Sequence, residues 1–155
     1  MTRRKARSCG RSPGSARKAS GLFVHASAHA PGEWVYVTGR MQAERSMTST
    51  DCRVTFCGHV HVPALFHMTP GRPASHHGPV PAVAVPLAPD RRWLAVIGAV
   101  GQPRDGNPAA CYALLDHERS TLTSVRVPYD IDAAAQKIVK AGLPGARGAA
   151  LSRGV

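Results

Sequence analysis

Short apolar runs, separated by polar, Pro- and Gly-rich joints, dominate this chain. The first, "GLFVHAS", has the shape of a buried strand that delivers a polar residue, His25, at its tip. Pro31 and Gly32 in "HAPGEWVYV" mark a turn, and residues 40–50, "RMQAERSMTST", suit a short helix. The stretch "CRVTFCGHVHVPALFHM" alternates. Read as extended chain, it puts Val54, Phe56, Val60 and Val62 on one face and Thr55, Cys57, His59 and His61 on the other. Pro63 limits how far such a strand can continue within a sheet. Residues 69–91 are loaded with Pro and Gly around one candidate strand, "VAVPLA". "RWLAVIGAVGQPRDGNP" is a strong apolar strand running into a glycine-rich loop, and "CYALLD" and "TLTSVRVPY" flank the turn "HERS" as an antiparallel hairpin. The last element is a helix. Asp130 or Asp132 caps it, Ile131, Ala134, Ile138 and Val139 form its apolar stripe, and Gly142 and Pro144 end it. Strands followed by a terminal helix predict an α+β fold with an antiparallel-rich sheet.

Composition changes this picture only at the start of the chain. The 155 residues make one domain's worth of sequence, with 43% hydrophobic residues. No apolar run approaches the roughly 20 residues that span a membrane. The net charge of +11 suggests a polyanion partner, but seven of the basic residues (Arg3, Arg4, Lys5, Arg7, Arg11, Arg17 and Lys18) lie in the first twenty positions, where no acid occurs; without them +4 remains. Residues 1–20 are therefore expected to be a basic, disordered leader. It has no apolar core of a secretory signal, and its Arg- and Ser-rich make-up only faintly resembles a transit peptide. Such a leader supplies an alternative function, a non-catalytic interaction protein binding nucleic acid or acidic partners. Nucleic acid is not favoured, because no aromatic is interleaved for base stacking. Cys9, Cys52, Cys57 and Cys111 form no Cys-x-x-Cys and no secreted spacing pattern, so reduced thiols and a cytoplasmic location are expected.

The histidine pair in "CGHVHVP" carries the chemistry. On an extended segment, residues at i and i+2 point to one side with Cα atoms about 6.5–7 Å apart, close enough for each imidazole to ligate one ion of a two-metal cluster spaced about 3.5–4 Å. Gly58 leaves room beside them. Alone, His-x-His is more often incidental. Cys57 shares its face and allows a Cys/His zinc site, although Cys-x-His-x-His matches no common zinc module and an inert buried thiol is favoured. His76 and His77 read as solvated loop residues, and His29 and His67 have no motif support. Trp34, Tyr36 and Trp93 read as core or half-buried aromatics. "GAVGQPRDG" lacks the Lys-Ser/Thr ending of a P-loop.

Three stretches resemble, in order, the motifs of the calcineurin-like metallophosphoesterase superfamily, in particular its small bacterial members. "LFVHAS" is similar to the family's strand ending in a lone metal-ligating histidine. "TFCGHVHVP" is similar to its Gly-His-x-His motif, and "IGAVGQPRDGNPAACYALLD" to its Gly-Ser-Val-Gly-Gln-Pro-Arg-Asp-Gly loop, with Ala99 where serine is usual. The similarity runs from Gly21 to about Leu143, so residues 21–145 are expected to be the C-terminal part of such a domain and 146–155 a flexible tail. The resemblance implies hydrolysis of phosphate mono- or diesters with divalent Mn, Fe or Zn. It assigns His25 and His59 to the second metal and His61 to the first. Arg104 is a candidate phosphate contact; a turn residue paired with Asp105 is an equal alternative. No catalytic residue is assigned. The family's Asp-x-His, Gly-Asp-x-x-Asp and Gly-Asn-His motifs do not occur in the sequence. The expectation is a partial αββα sandwich, mainly one sheet plus a C-terminal helix, truncated and inactive alone. A complementing N-terminal half or a homo-oligomer would then be its partner. Apolar side chains of "LFV" and "LAVIGAV" are expected to be left uncovered.

Overall fold

The computed structural model describes residues 15–18 and 21–155. Among the described residues nine strands fall into two sheets. The larger has the order β1-β2-β3-β7-β4-β5, with β1 Ser15–Lys18, β2 Gly21–Val24, β3 Val54–Cys57, β4 Ala64–Met68, β5 Ser75–His77 and β7 Arg92–Val96. The smaller is β6-β9-β8, with β6 Ala84–Pro86, β8 Ala110–Asp116 and β9 Thr121–Val127. Helix α1 spans Arg40–Thr48, α2 Ile131–Lys140 and α3 Gly145–Arg153. The α+β class stands. The strands form two sheets rather than mainly one, however; α1 falls in the expected 40–50 segment and α2 where the terminal helix was expected, and α3 is an additional helix.

Strand direction positions everything else. At the centre of the large sheet β2, β3 and β7 run parallel, while β1, β4 and β5 add antiparallel pairs outside them. A central parallel strand is covered on both faces, so its burial loses the alternation of a half-exposed strand. All four residues of β3 are buried accordingly. On one face, Leu22, Val24, Cys57, Phe66, Leu94 and Val96 pack with Ala43 and Met47 of α1. On the other, Val54, Phe56, Leu65, Trp93 and Ala95 meet Val85, Leu87, Ala113, Leu115 and Leu122 from the second sheet and its approach. Arg92 locks α1 in place by donating to the carbonyls of Met47 and Thr50 at the helix end.

This double cover corrects the expectation of bare apolar strands. Leu22, Val24 and Leu94–Val96 are buried; Phe23, at 38% and stacked on Phe56, and Val100, at 61% in the loop after β7, are exposed. The long alternating segment is also not one strand. It ends at Cys57, turns through Gly58–Pro63 and resumes as β4.

At the C-terminus, Asp130 rather than Asp132 caps α2, its Oδ1 accepting from the Ala133 N–H at 2.9 Å. Residues 146–155, expected as a flexible tail, instead lie in α3 and its cap. Gly148 permits the helices to touch, since a Cβ there would sit 3.2 Å from the Ala135 Cβ, and Leu151 is buried. Of the expected leader, residues 15–18 form the edge strand β1, paired to β2; the other leader residues lie outside the described ones. Among the described residues no helix is long and apolar enough to cross a membrane.

Candidate functional site

Because β2, β3 and β7 are adjacent and parallel, the segments that follow them emerge side by side at one edge of the sheet, where open α/β sheets characteristically bind ligands. His25 directly follows β2, the His59–His61 turn follows β3, and the loop carrying Gln102 and Arg104 follows β7. Backbone hydrogen bonds tie these segments together. The Gly58 N–H donates to the His25 carbonyl at 3.0 Å, the Ile97 N–H to that of Cys57 at 2.9 Å, and the Arg104 N–H to that of His61 at 3.1 Å. Gly98 begins the last loop at φ +87, and a Cβ there would lie 2.8 Å from the Cys111 Sγ. Only glycine fits such an approach in that conformation.

The His-x-His segment is not extended. The Val60 N–H reaches the Gly58 carbonyl at 2.7 Å, and His59 and His61 both adopt left-handed φ of 64. The extended-strand argument that set the two imidazoles on one side does not hold, because this tight turn redirects each one separately. Two non-glycine residues held in this sparsely populated region, one residue apart, are a local strain of the kind found at functional sites.

The structure brings His25 and His59 together, His25 Nε2 to His59 Nδ1 at 3.0 Å. The His61 Nδ1 donates to the Gln102 carbonyl at 2.8 Å, so a neutral ring presents Nε2 as its lone-pair nitrogen. His59 remains within electrostatic reach of the others. Its pKa is lowered by desolvation first, and then by the charges of His25, His61 and Arg104. Arg104 is exposed and Asp105 pairs with Arg126 instead, so the proposed Arg104–Asp105 pair does not form. Cys57 is buried on the α1 side of the sheet, with its thiol pushed up to about 12 by burial. That is an inert thiol. His29 meets the Ser49 hydroxyl at 3.3 Å. His76 and His77 belong to β5 rather than a solvated loop, their rings against Phe66 and against His67 and Trp93.

Sequence reasoning missed two residues. Trp34 and Tyr36, read as core or half-buried, are 55% and 48% exposed. They lie on the histidines: Trp34 is 4.5 Å from His25 and 5.5 Å from His59 between ring centroids, and Tyr36 is 4.2 Å from His59. Their one readable signal was position, directly after the Pro-Gly turn that follows His25.

The donor set suits one divalent ion better than two. Two nitrogens around a tetrahedral zinc at about 2.0–2.1 Å lie roughly 3.3 Å apart, close to the 3.0 Å between His25 and His59. Among the described residues, however, no group of three or more His, Cys, Asp or Glu side chains is arranged to hold a metal. Two divalent ions about 4 Å apart repel by roughly 16 kcal/mol at an effective dielectric near 20. Imidazoles carry no compensating charge, so these residues do not by themselves fit a dinuclear centre.

Parallel strand ends carrying clustered imidazoles, a sheet packed on a second sheet and a helix outside define a class. The fold is that of a calcineurin-like metallophosphoesterase, represented in part. A crystal structure of a metallophosphoesterase from Sphaerobacter thermophilus superposes with a TM-score of 0.82 at 29% identity, covering 92% of this chain and 58% of that one. The uncharacterized protein MJ0912 of Methanocaldococcus jannaschii is 34% identical over 123 residues, 79% of this chain and 47% of that protein. The chain thus spans under two thirds of the length of either. No family model matches it.

Proposed function

We propose that this chain is part of a metal-dependent phosphoesterase acting on phosphate mono- or diesters. In this reading His25, His59 and His61 are metal ligands and Arg104 is the phosphate contact. The observation that carries it is the meeting of His25 and His59 nitrogens at 3.0 Å, at the ends of adjacent parallel strands in a metallophosphoesterase fold. Imidazole suits Mn, Fe and Zn, and the bond from His61 to the Gln102 carbonyl holds one tautomer as second-shell partners of metal ligands do. Divalent ions supply Lewis-acid polarisation of a phosphoryl group. The acidic ligands that two ions need come from a complementing half or another copy of the chain. The cytoplasmic location proposed from the cysteine pattern accords with Cys57 and Cys111 being buried thiols.

The isolated chain is expected to bind one divalent ion weakly and to hydrolyse a chromogenic phosphodiester barely above background with manganese added. Metal titration followed by mass spectrometry checks the first, and absorbance the second. The His25→Ala, His59→Ala and His61→Ala variants should each weaken binding by about tenfold or more. Unchanged binding in all three would remove the ligand assignment. Robust turnover would remove the requirement for outside acidic ligands.

A further inference from the structure

Two large aromatic side chains stand exposed beside the imidazoles. Trp34 and Tyr36 are 55% and 48% exposed, whereas the other tryptophan, Trp93, is 3% exposed between the sheets. The backbone that presents them is strained. Ala30 at φ 49 and Trp34 at φ 52 bracket the 3-10 turn Pro31–Glu33, both in the left-handed region that such residues rarely occupy. This geometry leans the indole on His25 and the phenol on His59, 4.5 and 4.2 Å between centroids. About half of each ring's surface stays open. Arg104 is exposed at the same edge, its own N–H bonded to the His61 carbonyl. A cation and two open aromatic faces, both beside the imidazoles, are the elements that recognise a phosphate joined to a planar group.

We propose that Trp34 and Tyr36 form a stacking platform that selects phosphoesters carrying a planar aromatic group, a nucleobase or an aryl ring, over sugar and alkyl phosphoesters. The platform rests on the phosphoesterase reading and names its substrate class. Arg104, beside the imidazoles, holds the phosphate end, and the platform holds the rest of the molecule.

Trp34 is a built-in reporter, because Trp93 is shielded. The full chain is titrated with AMP, phenyl phosphate, ribose 5-phosphate, adenosine and inorganic phosphate, following Trp emission and binding heat. AMP and phenyl phosphate are expected to quench emission saturably and to bind about tenfold or more tighter than ribose 5-phosphate, the range for one stacked base. Preference for AMP alone assigns a nucleobase, and equal preference assigns any aryl ring. Trp34→Ala should reduce AMP to the level of ribose 5-phosphate, while Trp34→Phe retains most of the preference. The blue-shifted emission of Trp93 in Trp34→Ala reports an intact core. If AMP and ribose 5-phosphate bind alike, the platform is overturned and the phosphoesterase reading stands. If adenosine binds as tightly as AMP and the sugar phosphate not at all, the platform stands and the phosphate reading fails. If none of the five binds, the platform is overturned, and the metal titration decides the reading beneath it.

Discussion

At the scale of single residues, burial decides which of several similar side chains can do chemistry. Cys57 lies two residues from His59, and an extended chain would put it on the same face, which allowed a Cys/His zinc site although the spacing matches no common zinc module. Its thiol is sealed under α1 and raised to about 12, far from the thiolate that binds metal. Two outcomes follow. Native protein treated with iodoacetamide at pH 8 should leave Cys57 unlabelled, with labelling only after denaturation, as read by peptide mass spectrometry. Stability should also depend on alkali in one direction. The unfolded thiol ionises near its ordinary 9.0 and the folded one near 12, so above pH 9 the unfolded chain holds fewer protons and stability falls towards pH 12. Replacing Cys57 with Ala should flatten that slope in denaturant titrations repeated at pH 8, 9 and 10. His25, His59, His61 and Arg104 could be singled out in the sequence because they stand in stretches that resemble family motifs. Trp34 and Tyr36 could not, since aromatic residues give no sign in sequence of whether they face a core or a site.

At the scale of elements, most strands were readable, and local physics explains both the hits and the misses. β7 and the β8–β9 hairpin follow from apolar runs and a polar turn, and α2 from its stripe and cap. The segment after Cys57 misled because alternation of Val and His persists through a turn whose left-handed residues carry no sequence signature. β5 and α3 were invisible for another reason. Three residues of strand and a Gly- and Ala-rich helix show little periodicity, and each forms because a neighbour is already there. The α2–α3 hairpin depends chiefly on itself, because no residue of α2 is fully buried. Asp130→Ala should therefore cost about 0.5–2 kcal/mol of local stability. Hydrogen exchange should speed up through 131–153 while amides of β7 keep their protection. Equal acceleration in β7 would mean that the hairpin is part of the central cooperative unit.

At the scale of the whole molecule, the large sheet is held from both sides, and stability should concentrate at its centre. Leu94 is fully buried where β7 meets α1 and the neighbouring strands. Leu94→Ala should cost about 2–5 kcal/mol, the range for a buried Leu whose cavity cannot collapse, measured by urea denaturation. A cost near zero would show that this layer is loosely packed. The same two-sided packing explains why a chain covering 58% of its structural neighbour keeps its core strands out of water: helix and second sheet come from within its own sequence. Cover is therefore not what the site lacks; among the described residues no group of three or more His, Cys, Asp or Glu side chains is arranged to hold a metal.

The amino-acid sequence alone determined the α+β class, most strands and the capped helix, because periodicity and turn residues are local properties. Only the tertiary structure decided that β2, β3 and β7 are parallel neighbours, and so that His25, 34 residues before His59, meets it at 3.0 Å. It also decided that His61 turns to a backbone carbonyl, and that two aromatics stand open over the pair. Those facts depend on contacts between segments distant in sequence, and local patterning carries no record of which segments will meet.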